Sequence, residues 1–259
     1  NCIFYTFVLT KYVPLNLKLV ITSMSKFNFS VDCVVFGYDS DLELKILLIT
    51  KKENPNTSSK DSNTQIALPG DLIHIDEDVD PAAKRILNSL TSIDEIYLKK
   101  FEIFTDPNRV KKIKDQEWLN NYRENPNERV ITIGYISLVN IQSFKPKASS
   151  FAQDVIWIPV KDIPELTFDH NEIVNSALKF LKNELNHEMS SFLLPKDFTI
   201  PQLQKLYEDV LNKKFDSRNF RKHILRKGVL IKTKNKNKTG RTGKPARFYQ
   251  FDENEKNET

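Results

Sequence analysis

The segment ALPGDLIHIDEDVDPAAKRILNSLTSI, residues 67–93, sets a Pro-Gly turn, an acidic loop and a helix in succession. Asp76, Glu77, Asp78 and Asp80 crowd the loop. Carboxylate oxygens grouped in this way can hold Mg2+ or Mn2+, which polarises a diphosphate and activates water. The helix that follows, residues 80–92, should then carry the remaining ligands. It has no carboxylate between Asp80 and Asp94. Asp80 is suited to cap it, Pro81 fits its first turn, and Ile86, Leu87 and Leu90 form an apolar stripe. The outline is catalytic, but the ligand row is missing.

A second kind of chemistry lies near the C-terminus. From Lys213 to Arg247 there are fourteen Lys and Arg and one acidic residue, Asp216. TIPQLQKLYEDVLN (199–212) reads as a helix with Thr199 as its cap and Pro201 in its first turn. DSRNFRKHILRKG (216–228) reads as a second helix, capped by Asp216 and ended by Gly228. Its apolar face is Phe220, Ile224 and Leu225, which leaves Ser217, Arg218, Asn219, Arg221 and Lys222 off that face. VLIKTK and ARFYQF then flank a Gly/Lys loop that holds Lys236, Lys238, Arg241 and Lys244. Helix, turn, helix and basic hairpin make the winged helix-turn-helix plan. In that plan the N-terminal half of the second helix meets base edges and the wing follows phosphates. Arg can fork onto guanine and Asn219 can read adenine.

These groups need scaffolds to place them. FSVDCVVFGYD (29–39) and LELKILLIT (42–50) read as a hairpin, QIALPG as a short strand, and IYLKKFEIF, RVITIGYISLVN and DVIWIPV as further strands. DHNEIVNSALKFLKNEL (169–185) is an amphipathic helix with Asp169 at its start. Residues 106–129 form a polar insertion containing Trp118. The expected fold class is α+β, a mixed sheet between helices followed by the winged helix.

Composition narrows the setting. Residues 1–187 hold 22 Lys and Arg against 25 Asp and Glu, net −3, whereas residues 188–259 hold 17 against 9, net +8. An acidic body joined to a basic module suits a polyanionic partner. Cys2 and Cys33 cannot build a disulfide framework, and no Cys/His cluster has zinc spacing, which favours a reducing, cytoplasmic setting. The first methionine is Met24, and residues 1–23 read as an upstream extension. Lys11, Pro14 and Lys18 interrupt their apolar run, so a membrane span is not expected, and a weak anchor is the competing reading. The expected division is residues 1–25 as extension, 26–187 as the first domain, 188–251 as the winged helix and 252–259 as an acidic tail.

Residues 67–93 resemble the Nudix box. Gly70, Arg85, Leu87 and Ile93 match its positions, and Glu77 matches the first Glu if one extra residue is allowed. Ile86, Ser89 and Leu90 stand where the box has Glu, Ser92 where it has Gly, and Asp71 replaces the second Gly of a common Pro-Gly-Gly. Together with FDHNEIVNSAL, LLPKDFTIPQLQKLYEDVL and FDSRNFRKHILRKGVL, the likeness extends over residues 27–251 to the Nudix-related transcriptional regulators. The insertion at 110–127 is longer than that family usually has.

The resemblance implies a Nudix-type domain that senses a small effector, and a homodimer that binds a palindromic operator in double-stranded DNA. Ser89 offers a metal only a weak hydroxyl and Leu90 nothing, so no hydrolysis, no catalytic residue, no bound metal and no cofactor are expected. The lost Glu positions place the chain nearer the branch that responds to a sugar such as L-arabinose than the branch that responds to ADP-ribose. Asp71, His74 and Glu77 at the turn and loop, and Arg109, Phe168, Asp169 and His170 around the expected cleft, are the candidate effector residues. Phe104 or Phe168 would give an aromatic floor. Two other readings stay open: a divergent nucleotide pyrophosphatase using Asp76, Glu77, Asp78 and Asp80, and an adaptor whose basic module meets RNA or another acidic partner.

Overall fold

The protein is described from a computed structural model covering residues 27–39, 41–51, 65–93, 96–112, 115–123, 125–126, 128–236 and 247–252. Its central strand, β1 (Phe27–Tyr38), reads FNFSVDCVVFGY. Such a run is β-branched and apolar on both faces, which a strand tolerates only when both faces are covered. It pairs in parallel with β6 (Arg129–Asn140) over its full length, Phe27 opposite Arg129 and Tyr38 opposite Asn140. β2 (Leu44–Lys51) folds back on β1 as the expected hairpin. β3 (Ile66–Ala67), β4 (Gly70–Leu72), β5 (Leu98–Phe104) and β7 (Ala152–Pro159) complete a seven-stranded mixed sheet.

Alternation along β1 separates two cores. Val31, Cys33 and Val35 face α1 (Val79–Thr91), packing with Ala82, Ala83, Ile86, Leu87 and Leu90. Val34, Phe36 and Tyr38 face the other way, toward Ile173, Val174, Ala177 and Leu181 of α3 (His170–Glu184). The insertion contributes a short helix, α2 (Gln116–Tyr122), whose Trp118 and Leu119 are buried in the first core. Composition marked this segment as polar; its few apolar side chains are the ones that fold it down.

The second core runs on without a break into the C-terminal part. α4 (His187–Leu193), which the sequence did not reveal, buries Met189 and Leu193 there. α5 (Ile200–Leu211) and α6 (Ser217–Arg226) follow, then β9 (Leu230–Lys236) and β10 (Arg247–Phe251), with β10 also paired to β8 (Phe198–Thr199). Thr199 and Gln202 form a reciprocal capping box at the start of α5. Phe220 and Ile224 are buried against α5, and Phe220 sits edge-on to Tyr207 at 5.8 Å. Leu225 is a correction to the expected apolar face, being exposed. Gly228 takes a φ of 78°, the left-handed conformation that closes a helix cheaply only with glycine. Among the described residues no helix is long and apolar enough to cross a membrane. The extension 1–25, the tail and Lys238, Arg241 and Lys244 lie outside the described residues.

Candidate functional site: an occupied box and a buried charged cavity

The box keeps its shape but has filled its ligand positions with core. Asp78, not Asp80, caps α1, its carboxylate accepting from the Val79 N–H at 2.8 Å. Asp80, one residue further in, instead accepts from the Tyr135 hydroxyl and pairs with Lys100 at 3.2 Å. Ile86 and Leu90 are fully buried, and the Ser89 hydroxyl donates to the Ile86 carbonyl at 3.0 Å. Arg85 forks onto Glu77 through two 2.7 Å hydrogen bonds, and this guanidinium holds the Glu77 carboxyl below its ordinary range. Ser92 closes the helix at φ 56°, the left-handed conformation for which the box uses glycine. Each loop carboxylate with a described partner is thus engaged by helix, tyrosine or arginine. Among the described residues no three His, Cys, Asp or Glu side chains come together to hold a metal. The residues present do not fit the Mg2+ cluster of a hydrolytic box.

The seven candidate effector residues divide. Arg109, Phe168 and His170 line one cavity with Asp71 at its edge, and Asp169 lies beside it. His74 and Glu77 do not reach it. His74 is exposed, and Glu77 belongs to the Arg85 pair. Phe104 is likewise absent from the cavity wall; it packs beside Phe101 at 6.0 Å.

The charged centre is a residue the sequence reading passed over. Asp32 sits in the middle of β1, in the buried run VDCVV. A carboxylate there demands partners, and that mismatch was the available signal. Arg109 donates to Asp32 at 3.1 Å and to both oxygens of Asp169 at 2.8 and 2.9 Å. Thr132 donates to Asp32 at 2.9 Å and shares a short hydrogen bond with Ser30. His170 accepts the Leu68 N–H on Nδ1 at 3.0 Å, which leaves its proton on Nε2, 3.5 Å from Asp32. Burial pushes the Asp32 carboxyl up, but His170, Arg109 and Thr132 outweigh it and hold the group far below the ordinary carboxylate range. Burial likewise pulls Arg109 down, and its two carboxylates raise it above the usual value. Gly70 opposes Asp32 across the β1–β4 pair, and any side chain there would collide with the carboxylate. Asp169 stands at the N-cap of α3, where an aspartate would ordinarily cap the helix, but its side chain makes no cap hydrogen bond, because Arg109 takes both oxygens.

The insertion roofs the cavity. Trp118, Leu119 and Arg123 line it beside Phe151 and Phe168. Trp118 stands edge-on to Phe168 at 6.1 Å and to Phe151 at 6.3 Å. Phe168 holds a left-handed φ of 57°, a conformation that costs an aromatic residue about 1 kcal/mol or more. The insertion supplies the restraints, as the Phe168 N–H donates to Asp115 and its carbonyl accepts from Lys112. The inner cavity measures about 60 Å³. A recess of about 440 Å³ adjoins it at Arg109, lined by Lys111, Lys112 and Glu172 among others. Together they have the size of a small-ligand site with one aromatic wall, the cations Arg109, Lys111, Lys112 and Arg123, and the carboxylates of Asp106, Asp169 and Glu172 at the recess.

The basic helix α6 presents Ser217, Arg218, Asn219 and Lys222 to solvent in its N-terminal half. Asp216 caps it by accepting the Asn219 N–H at 2.9 Å. Arg221 is exposed too, but its guanidinium donates to the Tyr249 hydroxyl of β10 at 3.3 Å, tying helix to wing.

Residues 190–251 match the family model of the NrtR DNA-binding winged helix domain. Over most of its length the chain is similar to the Nudix-related transcriptional regulators. It is 25% identical, over 227 residues, to the ADPR responsive transcriptional repressor NtrR of Acinetobacter baylyi, covering 86% of this chain and 81% of that protein. The crystal structure of Shewanella oneidensis NrtR superposes with a TM-score of 0.63 at 25% identity, covering 86% of this chain and 94% of that one. An ADP-ribose pyrophosphatase of Methanocaldococcus jannaschii is 24% identical over 136 residues, which are 52% of this chain and 67% of that protein. The Nudix fold and the C-terminal winged helix are therefore those expected from residues 27–251.

Proposed function

We propose that this regulator binds an operator through its winged helix and releases or retains it according to an ADP-ribose-like nucleotide held in the Nudix-fold domain. Residues 26–187 would form the effector part and 188–251 the DNA-binding part, acting as a cytoplasmic homodimer on a palindromic site. The observation that carries the reading is the conversion of the box: Ile86 and Leu90 are core, and Arg85 is spent on Glu77. A helix so committed cannot assemble the carboxylate cluster that diphosphate hydrolysis requires. The aromatic wall and the cations around Arg109 suit a nucleotide diphosphate better than a neutral pentose, and the Acinetobacter baylyi relative is named for its response to ADP-ribose. The sugar-responsive branch is therefore the less favoured reading of the effector.

A gel-shift on the protein's own upstream region, with and without ADP-ribose, tests this. Binding should weaken steeply with salt, as phosphate contacts require, and should respond to ADP-ribose and not to L-arabinose. Equal affinity for random and upstream DNA would count against operator reading. Phosphate-bond hydrolysis of ADP-ribose with Mg2+, abolished by Glu77→Gln, would favour the pyrophosphatase reading.

A further inference from the structure

The insertion brings to the cavity a cation that the fold itself does not use. Arg123 follows α2 directly, its backbone N–H bonded to the Leu119 carbonyl at 2.8 Å, so one helical turn places it beside Trp118 and Leu119 in the cavity wall. Its Nη1 is buried without a hydrogen-bond partner among the described residues. The carboxylates that its charge faces are Asp32 and Asp71. Asp32 is taken by Arg109 and Thr132. Asp71 at the rim accepts from the Leu72 N–H. Burial accordingly pulls the Arg123 guanidinium below its ordinary value.

A buried guanidinium nitrogen without an acceptor loses hydration, and although Asp32 and Asp71 attract the Arg123 charge, neither gives Nη1 a hydrogen bond. An oxyanion would supply what is missing, since the planar fork pairs with phosphate or carboxylate through two parallel N–H donors. The inner cavity, at about 60 Å³, has room for a few waters or one phosphate-sized group. The recess of about 440 Å³ beyond Arg109 has room for the rest of a nucleotide and adds Lys111 and Lys112 from the same insertion.

We propose that Arg123 is the oxyanion-binding arm of the effector site, gripping the diphosphate of an ADP-ribose-like ligand, and that the insertion exists to carry it there. This rests on reading the Nudix-fold domain as a nucleotide sensor. Arg123 is then a specificity residue: it separates phosphorylated from unphosphorylated ligands by leaving a buried cation unpaired when the oxyanion is absent.

Calorimetric titration of the full chain with ADP-ribose and with adenosine, for the parent, Arg123→Lys and Arg123→Gln, tests the assignment. Arg123→Gln should bind ADP-ribose at least about tenfold more weakly, the loss expected for one charge-assisted hydrogen bond. Arg123→Lys should fall between, and adenosine, which has no oxyanion, should not distinguish the three chains. Without ligand, Arg123→Gln should melt no lower than the parent, because the lost Nη1 had no hydrogen-bond partner among the described residues and its burial outweighs the attraction of Asp32 and Asp71. Equal affinity of parent and Arg123→Gln for ADP-ribose would overturn the role of Arg123 and leave the nucleotide reading standing. A parent that does not bind ADP-ribose would overturn both. A ligand-free Arg123→Gln that melts well below the parent would mark the residue as structural and also overturn the proposal.

Discussion

Arg109 and Asp32 lie 77 residues apart in sequence and meet at 3.1 Å inside the domain, where both are almost wholly screened from water. The same guanidinium clamps Asp169, so one cation from the loop after β5 ties the central strand to the start of α3. Arg109→Ala would strand two buried carboxylates, and such a loss costs about 3–5 kcal/mol. Urea unfolding of the variant should show it as a lowered midpoint. A midpoint unchanged from the parent would mean that solvent enters the cavity and replaces the pair.

The pair also sets an acid limb on stability. Asp32 is depressed in the folded protein relative to an ordinary aspartate of about 3.9. A depressed carboxyl binds its proton more weakly when folded, so the unfolded chain takes up protons first as pH falls. Its contribution is therefore complete above about pH 5 and fades as pH drops through 4 and below. Asp32→Asn should remove that part of the slope, giving a lower but flatter profile of melting temperature between neutral and acid pH. An equally steep limb in the variant would assign it to other carboxylates.

Asp32 also shows where sequence reading stops. β1, β2, β6 and α1 were legible because their apolar spacing is regular, and α5 and α6 because Thr199, Asp216 and Gly228 punctuate them. α4 was hidden: His187–Leu193 is only seven residues with one apolar turn, too short for a helical period to show, although Asn186 caps it and Pro195 follows its C-cap. The charged centre was half visible, since Arg109, Asp169 and His170 follow the family cleft whereas Asp32 belongs to a strand already explained by its core. His74 and Glu77 were attributed to the site because they sit in the box, yet a salt bridge to Arg85 eight residues on satisfies Glu77 locally. The insertion read as polar by count, and its function as a roof depends on Trp118, Leu119 and Arg123 reaching inward.

The converted box should resist reversion at one position and tolerate it at another. Leu90 is buried against Val31 and Val35 in the first core, whereas Ser89 is half-exposed. Leu90→Glu would bury a carboxylate without a partner, at a cost of several kcal/mol. Ser89→Glu should change stability by less than about 1 kcal/mol, as surface substitutions usually do. Thermal denaturation of the two variants distinguishes them. Similar melting temperatures would show that α1 can rotate to expose Leu90.

On the basic helix, Arg218 and Arg221 should behave differently. Arg218 is exposed and has no side-chain partner among the described residues, so Arg218→Ala should cost about 1–3 kcal/mol of operator affinity if it reads a base, with stability unchanged. Arg221 is joined to the Tyr249 hydroxyl, so Arg221→Ala should also loosen helix against wing. Gel-shift titrations paired with melting curves separate the two effects. Loss of affinity for operator and random DNA alike in Arg218→Ala would assign that residue to phosphate.

The mixed sheet and the C-terminal helices are joined by a direct polar link from β1. The Tyr38 hydroxyl, at the end of that strand, donates to Asp209 of α5 at 3.2 Å, and Lys205 holds the same carboxylate from one turn earlier. Burial, then Asp209, pushes the Tyr38 phenol well above its ordinary value, so it stays a donor at any physiological pH. α5 packs directly on α6, and a shift of β1 on ligand binding would therefore reach the recognition helix through this contact. Tyr38→Phe keeps the packing and deletes the donor. It should leave nucleotide affinity and ligand-free operator affinity near their parent values while reducing the fold-change that nucleotide imposes on operator binding. Coupling energies of about 1–3 kcal/mol are usual for such links, so a loss of one hydrogen bond is large enough to register. If nucleotide shifts operator affinity equally in Tyr38→Phe and the parent, the signal travels through the apolar core shared by Phe36, Leu203 and Leu206 instead.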